Sequence, residues 1–191
     1  YSLDLKLFEI GSAVLNQVSK KDELHELLKR LVESTGETAQ LAMLVGHQVL
    51  YLDKVDSPSA LRMVTEIGKR RAAYCTGTGK AILAWKSRDI VDAVMQIGMQ
   101  KFTSKTITDR DELYRELQKI RDLGYAIDDE ENEAGITCIG APIRSQSGGI
   151  VSAISLSGPT TRMSDRIDEI AKVVMDIARQ AGLFWSEEYI S

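Results

Sequence analysis

Cysteine, proline and histidine are scarce in this chain: among 191 residues there are two Cys, three Pro and two His. Cys75 and Cys138 lie far apart and form no CxxC pair, which excludes a disulfide framework and fits free thiols in a reducing cytoplasm. His25 falls on a helical stretch and His47 in a turn, and neither has the setting of a Cys–His dyad. No HExxH, GxSxG or zinc-finger spacing is present. These absences argue against an enzyme and against any metal or cofactor. Apolar runs are also short. None approaches the ~20 residues of a membrane-spanning helix, and no basic stretch followed by an apolar one marks a secretory leader. Finally, a basic excess is missing, with 24 Lys and Arg against 28 Asp and Glu and a net charge of -4. A surface that grips DNA phosphates usually carries such an excess, so this segment alone is a poor nucleic-acid binder.

What remains is an ordinary globular composition, 43% hydrophobic and 27% charged. No repeat, low-complexity tract or Pro-rich linker divides it, so residues 1–191 read as one domain. A chain opening on Tyr1 reads as an excised domain with something upstream missing. Residues 4–18 carry an imperfect helical stripe of Leu5, Phe8, Leu15 and Val18. A second helix is capped by Ser19 with Asp22 three residues on, runs through Leu24, Leu27, Leu28 and Leu31, and stops at Gly36. Strands are expected at Thr38–Val45, Val49–Val55 and Ala60–Thr65. Helices follow at Gly77–Trp85 and Asp89–Ile97, and another from a Thr108 cap to Gly124. Strands at Tyr125–Asp128, Ile136–Arg144 and Gly149–Ser157 precede a long helix capped by Ser164. Runs of strands joined by tight turns point to an α+β fold, an antiparallel sheet with helices packed on it.

Three stretches could carry chemistry. Cys75-Thr76-Gly77-Thr78-Gly79-Lys80 suggests a phosphate loop but fails the pattern, with Tyr74 and Ala81 where Gly and Ser/Thr are needed. Its glycines still open backbone amides at a helix start, a setting that attracts a carboxylate; alternatively they let the helix pack tightly on the sheet. Asp128 to Glu133 is a dense acidic run without calcium-loop spacing. Asp129 to Glu133 read as a solvated loop, whereas Asp128 ends a strand and can face inward. The third stretch is the hairpin 136–157. With a loop of Ser145-Gln146-Ser147-Gly148, opposed positions place Cys138 across from Ser155 and Gly140 across from Ala153. Cys138, Gly140, Ala153, Ser155 and Ser157 then share one face, and Ile139, Ile143, Ile154 and Leu156 the other. A face of small side chains with buried hydroxyls suits a small polar ligand; a helix packed closely against it is the alternative.

Several blocks, taken in order, resemble the C-terminal domain of IclR-type bacterial transcription regulators. They include Ser2 to Gly11, Thr35-Gly36-Glu37-Thr38, Tyr51 to Ser57, Leu61-Arg62-Met63, Cys75 to Ala81, Gly124 to Glu133, Cys138 to Ile143 and Ser155 to Pro159. The resemblance implies a GAF-like fold, an antiparallel sheet of about six strands flanked by helices. It makes residues 1–3 the end of the wing of a winged helix-turn-helix absent here, and 4–18 a linker helix. It implies a homodimer or tetramer that meets DNA only through that missing N-terminal domain, without a membrane. The expected effector is a carboxylate, a hydroxy or keto acid or a sugar acid. The family's pocket positions fall on Gly77, Thr78, Asp128, Ile136, Cys138, Ser155 and Ser157, with Met63 and Tyr74 expected as apolar walls. The rivals are a GAF-like cysteine-dependent enzyme and an oligomerisation module without a pocket.

Overall fold

The computed structural model describes residues 21–185, so the expected wing end, the 4–18 helix and the Ser19 cap lie outside the described residues. Helix α1 spans Lys21–Thr35. Its leucines at 24, 27, 28 and 31 are all buried, as the helical period requires. Strands β1 (Thr38–Val45) and β2 (Gln48–Val55) form a hairpin, and β3 (Arg70–Ala72) adds to β2. A short 3-10 turn, Ala73–Cys75, leads into α2 (Gly77–Leu83), α3 (Arg88–Gln96) and α4 (Arg110–Leu123). Strands β4 (Ala126–Asp129), β5 (Ile136–Arg144) and β6 (Ile150–Pro159) complete one six-stranded antiparallel sheet ordered β3-β2-β1-β6-β5-β4. A short α5 (Thr160–Met163) and a 3-10 turn precede α6 (Ile167–Gly182).

The sheet separates two apolar layers. Helices α1 and α6 pack on one face, where Leu28, Leu31, Val174 and Ala178 meet Leu41, Ile139, Ile143, Ile154 and Leu156. On the other face α2, α3 and α4 gather Ala81, Leu83, Val91, Leu113 and Leu117 around Ala42, Tyr51, Ala126 and Ala153. This is the expected α+β architecture.

Local expectations differ in four places. Ala60–Thr65 is not a strand but part of the connection before β3, where its backbone makes no ladder and Thr65 instead accepts a side-chain bond from Gln40. The third strand is Arg70–Ala72, paired with β2. The cap of α4 is Asp109, whose carboxylate accepts the Glu112 N–H at 2.9 Å, not Thr108. Ser164 does not cap the last helix; its hydroxyl donates back to the Thr160 carbonyl within the preceding turn. Gly36 and Gly124 do end their helices as expected, both at positive φ.

The fourth difference is register. Cys138 pairs with Ser157 and Gly140 with Ser155, two residues away from the expected pairing. Arg144 pairs with Ile150, so the loop is one residue longer than expected, and a bulge between Ile143 and Arg144 inserts one more residue on β6. Two single-residue departures add to an even shift. Every side chain therefore keeps its expected face.

Candidate functional site

On the face covered by α2, alternate residues of adjacent strands bring polar groups together. Asp128 of β4 opposes Cys138 of β5, Cys138 opposes Ser157 of β6, and Ser155 opposes Gln40 of β1. One strand further, Tyr51 opposes Ala42. All are buried, Asp128 to 2%, Gln40 to 2% and Ser155 and Ser157 to 1% exposure. Buried polar atoms must find partners, and here they find mostly one another. Ser155 Oγ donates to Gln40 Oε1 at 3.2 Å, and Gln40 Nε2 donates to Thr65 Oγ1 at 2.6 Å. Ser157 Oγ lies 3.3 Å from Gln40 Oε1 and 3.0 Å from Cys138 Sγ, and its single proton serves only one of them at a time.

Helix α2 lies directly on this face because glycines allow it. A side chain at Gly140 would strike the Gly77 backbone at 2.6 Å, and one at Gly79 would strike the Ala73 carbonyl at 2.1 Å. Close packing, read from sequence as the alternative to a carboxylate site, is thus present. The amides remain as well. Thr76 caps the helix, accepting the Gly79 N–H on its hydroxyl at 3.2 Å and the Lys80 N–H on its carbonyl at 2.9 Å. The N–H groups of Gly77 and Thr78 have no hydrogen-bond partner among the described residues. Thr78 Oγ1 is fully buried and also lacks one. The Tyr51 phenol is near enough for Thr78 to favour its ionised form, but the two hydroxyls do not meet the geometry of a hydrogen bond.

Asp128 is held by its own turn. Its Oδ1 accepts the Glu131 N–H at 2.8 Å and the Asn132 N–H at 3.2 Å. Burial nevertheless pushes its carboxyl up to about 6, against the pull of Lys80 and these two amides. The acidic run is not uniformly solvated: Asp129 and Glu133 are exposed, but Glu131 is buried and ion-paired with Lys80. This corrects the reading of Asp129 to Glu133 as a solvated loop. Lys80 is fully buried and also reaches Glu116 at 3.4 Å. Burial pulls the Lys80 ammonium down, but Glu131 and Glu116 more than reverse it and the net shift is upward. Burial likewise raises Glu131, to about 7. Thr106 and Thr103 donate to the carbonyls of Glu131 and Glu130 at 2.6 and 2.7 Å, fastening the loop from outside.

Thus the structure gathers Gly77, Thr78, Asp128, Cys138, Ser155 and Ser157 around one patch. Ile136 starts β5, half-buried, opposite Pro159. Met63 is half-buried beside the patch, its carbonyl 3.4 Å from Thr38 Oγ1. Tyr74 is directed elsewhere: its ring stacks on Phe102 and its hydroxyl donates to the Gln100 carbonyl at 2.7 Å. It does not wall the patch, because it belongs to the turn that precedes α2 and is buried against Phe102 instead. Sequence reasoning missed Gln40, Tyr51, Lys80 and Glu131. Gln40 left a usable signal, a long amide between Ala39 and Leu41 in an otherwise apolar strand.

The sequence model described as bacterial transcriptional regulator IclR, C-terminal, matches residues 12–182. The chain belongs to the IclR family. It is 36% identical over 182 residues to the HTH-type transcriptional regulator KdgR of Escherichia coli (strain K12), covering 94% of this chain and 69% of that protein. It is 38% identical over 175 residues to the HTH-type transcriptional regulator BhcR of Paracoccus denitrificans (strain Pd 1222), covering 91% of this chain and 63% of that protein. The crystal structure of Thermotoga maritima IclR matches with a TM-score of 0.79 and 35% identity over 93% of this chain and 74% of that one. These relatives are regulators, and this IclR-type effector-binding domain is not an enzyme. Its thiols agree. Burial pushes Cys75 up to about 12, helped by the charges of Asp128 and Glu131, and raises Cys138 well above the usual thiol range, helped by Asp128. Neither supplies a thiolate nucleophile at neutral pH.

Proposed function

We propose that this IclR-type domain senses a small hydroxy, keto or sugar acid and passes its occupancy to a DNA-binding domain outside the chain. The observation that supports it most is the buried polar patch on a face of small side chains, with bonding capacity to spare at Thr78 Oγ1 and Ser157 Oγ. The effector's carboxylate meets the N–H groups of Gly77 and Thr78, and Ser155, Ser157 and Gln40 hold its body. Ile136 and Met63 close its apolar sides. Asp128 accepts a hydrogen bond from an effector hydroxyl, which favours a hydroxy acid or hydrated keto acid over a fatty acid. Binding regulates by favouring one quaternary or domain arrangement over another, in a cytoplasmic homodimer or tetramer.

A thermal-shift screen of the chain against hydroxy, keto and sugar acids tests this. A ligand that binds only the native state adds about 2.7 kcal/mol of stability at a hundredfold excess over Kd. A stabilising acid whose effect disappears in Ser155→Ala and Asp128→Asn supports the sensor. An unchanged response in both variants moves the effector away from this patch, and a flat screen favours an oligomerisation module.

A further inference from the structure

The patch is closed to solvent. Gln40, Thr78, Asp128, Cys138, Ser155 and Ser157 are each at most 9% exposed, so a solute reaches them only after a cover moves aside. Three covers lie over this face. Helix α2 is fixed, all seven of its residues buried and its first turn packed on Gly140. The loop after Asp128 is fixed from both sides, by the Lys80–Glu131 pair within and by Thr103 and Thr106 from outside. The third cover is the connection between β2 and β3. It crosses β1 over Thr38 and Gln40, the residues paired with Ser157 and Ser155.

This connection is held differently. From Ser57 to Lys69 it forms neither helix nor strand, and between Pro58 and Lys69 only Thr65 is buried. Leu61, Val64 and Ile67 are 70%, 67% and 51% exposed, so little apolar burial ties it down. Three hydrogen bonds to the rest of the chain hold its middle: Arg162 to the Leu61 carbonyl at 3.0 Å, Thr38 to the Met63 carbonyl at 3.4 Å, and Gln40 Nε2 to Thr65 Oγ1 at 2.6 Å. Its ends are tied separately, Ser57 Oγ to the Gly36 carbonyl and the Gly68 N–H to the Tyr51 carbonyl. A segment with few buried contacts opens at lower free energy than a packed core. We propose that residues 58–67 are the gate of the patch and that the Thr65–Gln40 hydrogen bond is its latch; what passes through it rests on the sensor reading above. Lifting Thr65 frees the Gln40 amide N–H beside Ser155 for an effector oxygen.

The test reads entry through Cys138, the thiol inside the patch, and needs no effector. On the 191-residue chain carrying Cys75→Ala, Cys138 is the single thiol, and 4,4′-dithiodipyridine labels it at one fixed pH. Thr65→Val removes the acceptor of the latch and should speed labelling about two- to tenfold, the factor that one net hydrogen bond contributes. Thr65→Ser keeps a hydroxyl and should label at nearly the rate of its parent. Ile154→Val lowers stability on the opposite face without touching the gate, and should also leave the rate unchanged. Acceleration by Ile154→Val as large as that by Thr65→Val overturns the gate, since labelling then follows global unfolding. An unchanged rate in Thr65→Val overturns it as well, and acceleration by Thr106→Val alone does so by placing the entrance at the Asp128 loop. Because no effector is present, a flat thermal-shift screen leaves the gate standing, and a labelling rate indifferent to Thr65 leaves the sensor standing.

Discussion

The two faces of the central sheet are made from the same strands and differ in almost everything else. Toward α1 and α6, β5 and β6 present Ile139, Ile143, Ile154 and Leu156, all fully buried in an apolar layer. One residue along, the same strands present Cys138, Gly140, Ser155 and Ser157 toward α2. The first face earns stability from area removed from water, at roughly 25 cal/mol per Å². The second gives up that gain, since a Ser in place of an Ile buries little apolar surface and adds a hydroxyl that needs a partner. Where one face is filled with interchangeable hydrocarbon and the other with specific hydrogen-bonding groups, stability and recognition can be changed separately. That division is the lesson of the comparison.

The most damaging way to break it lies in the buried ion cluster. Lys80→Met leaves Glu131 without its partner, and removing one member of a buried pair typically costs about 3–5 kcal/mol. Urea unfolding should show a loss of that size, and the double variant Lys80→Met with Glu131→Leu should regain most of it. Equal stability of Lys80→Met and wild type would mean that the pair is solvated in solution.

A smaller effect comes from pH. Folding raises the Asp128 carboxyl from 3.8 to about 6, so between those values the folded chain holds a proton that the unfolded chain has released. Asp128 thus favours folding at low pH, and its stabilising protonation is lost as pH rises through 6. Relative to Asp128→Asn, wild type should lose about 1.4 kcal/mol between pH 5 and 7.5, because about one unit of the shift lies above pH 5 and one pKa unit corresponds to about 1.4 kcal/mol. Unfolding curves at the two pH values measure this, and a gain in place of a loss would contradict the burial of a charged group at this position.

The smallest change sharpens the contrast from the other side. Ile154→Val removes one methylene from the apolar face and should cost about 0.5–1.5 kcal/mol in urea unfolding. The thermal shift produced by any acid that binds wild type should stay the same size. A reduced shift would show that packing under the sheet sets the geometry above it.

Much of this division is legible in sequence, because alternation in β5 and β6 separates the two faces without knowledge of any partner. Long strands, leucine-striped α1 and the glycine stops of α1 and α4 announce themselves by period and by conformational need. The edge strand β3 does not, since three residues, two of them arginine, give no period to read. In its place the apolar residues of Ala60–Thr65, bounded by the Ser57-Pro58 turn, suggest a strand that tertiary structure does not form. Lys80 and Glu131 stayed hidden for another reason. They are 51 residues apart, and an acid within an acidic run offers no local sign that it alone turns inward. Tyr74 was misplaced because an aromatic before a glycine-rich turn has no fixed face in sequence. Parity identifies faces; it does not identify long-range pairs.

The bulge beside Ile143 has a consequence for how such domains can vary. A turn lengthened by one residue would rotate every later side chain of β6 to the wrong side of the sheet, exchanging hydrocarbon for hydroxyl in both layers at once. The extra residue in the ladder absorbs that step. The hairpin tip is therefore free to gain or lose a residue only when the ladder gains or loses one with it. Insertions and deletions there come in compensating pairs, and a lone one turns the domain inside out along a single strand.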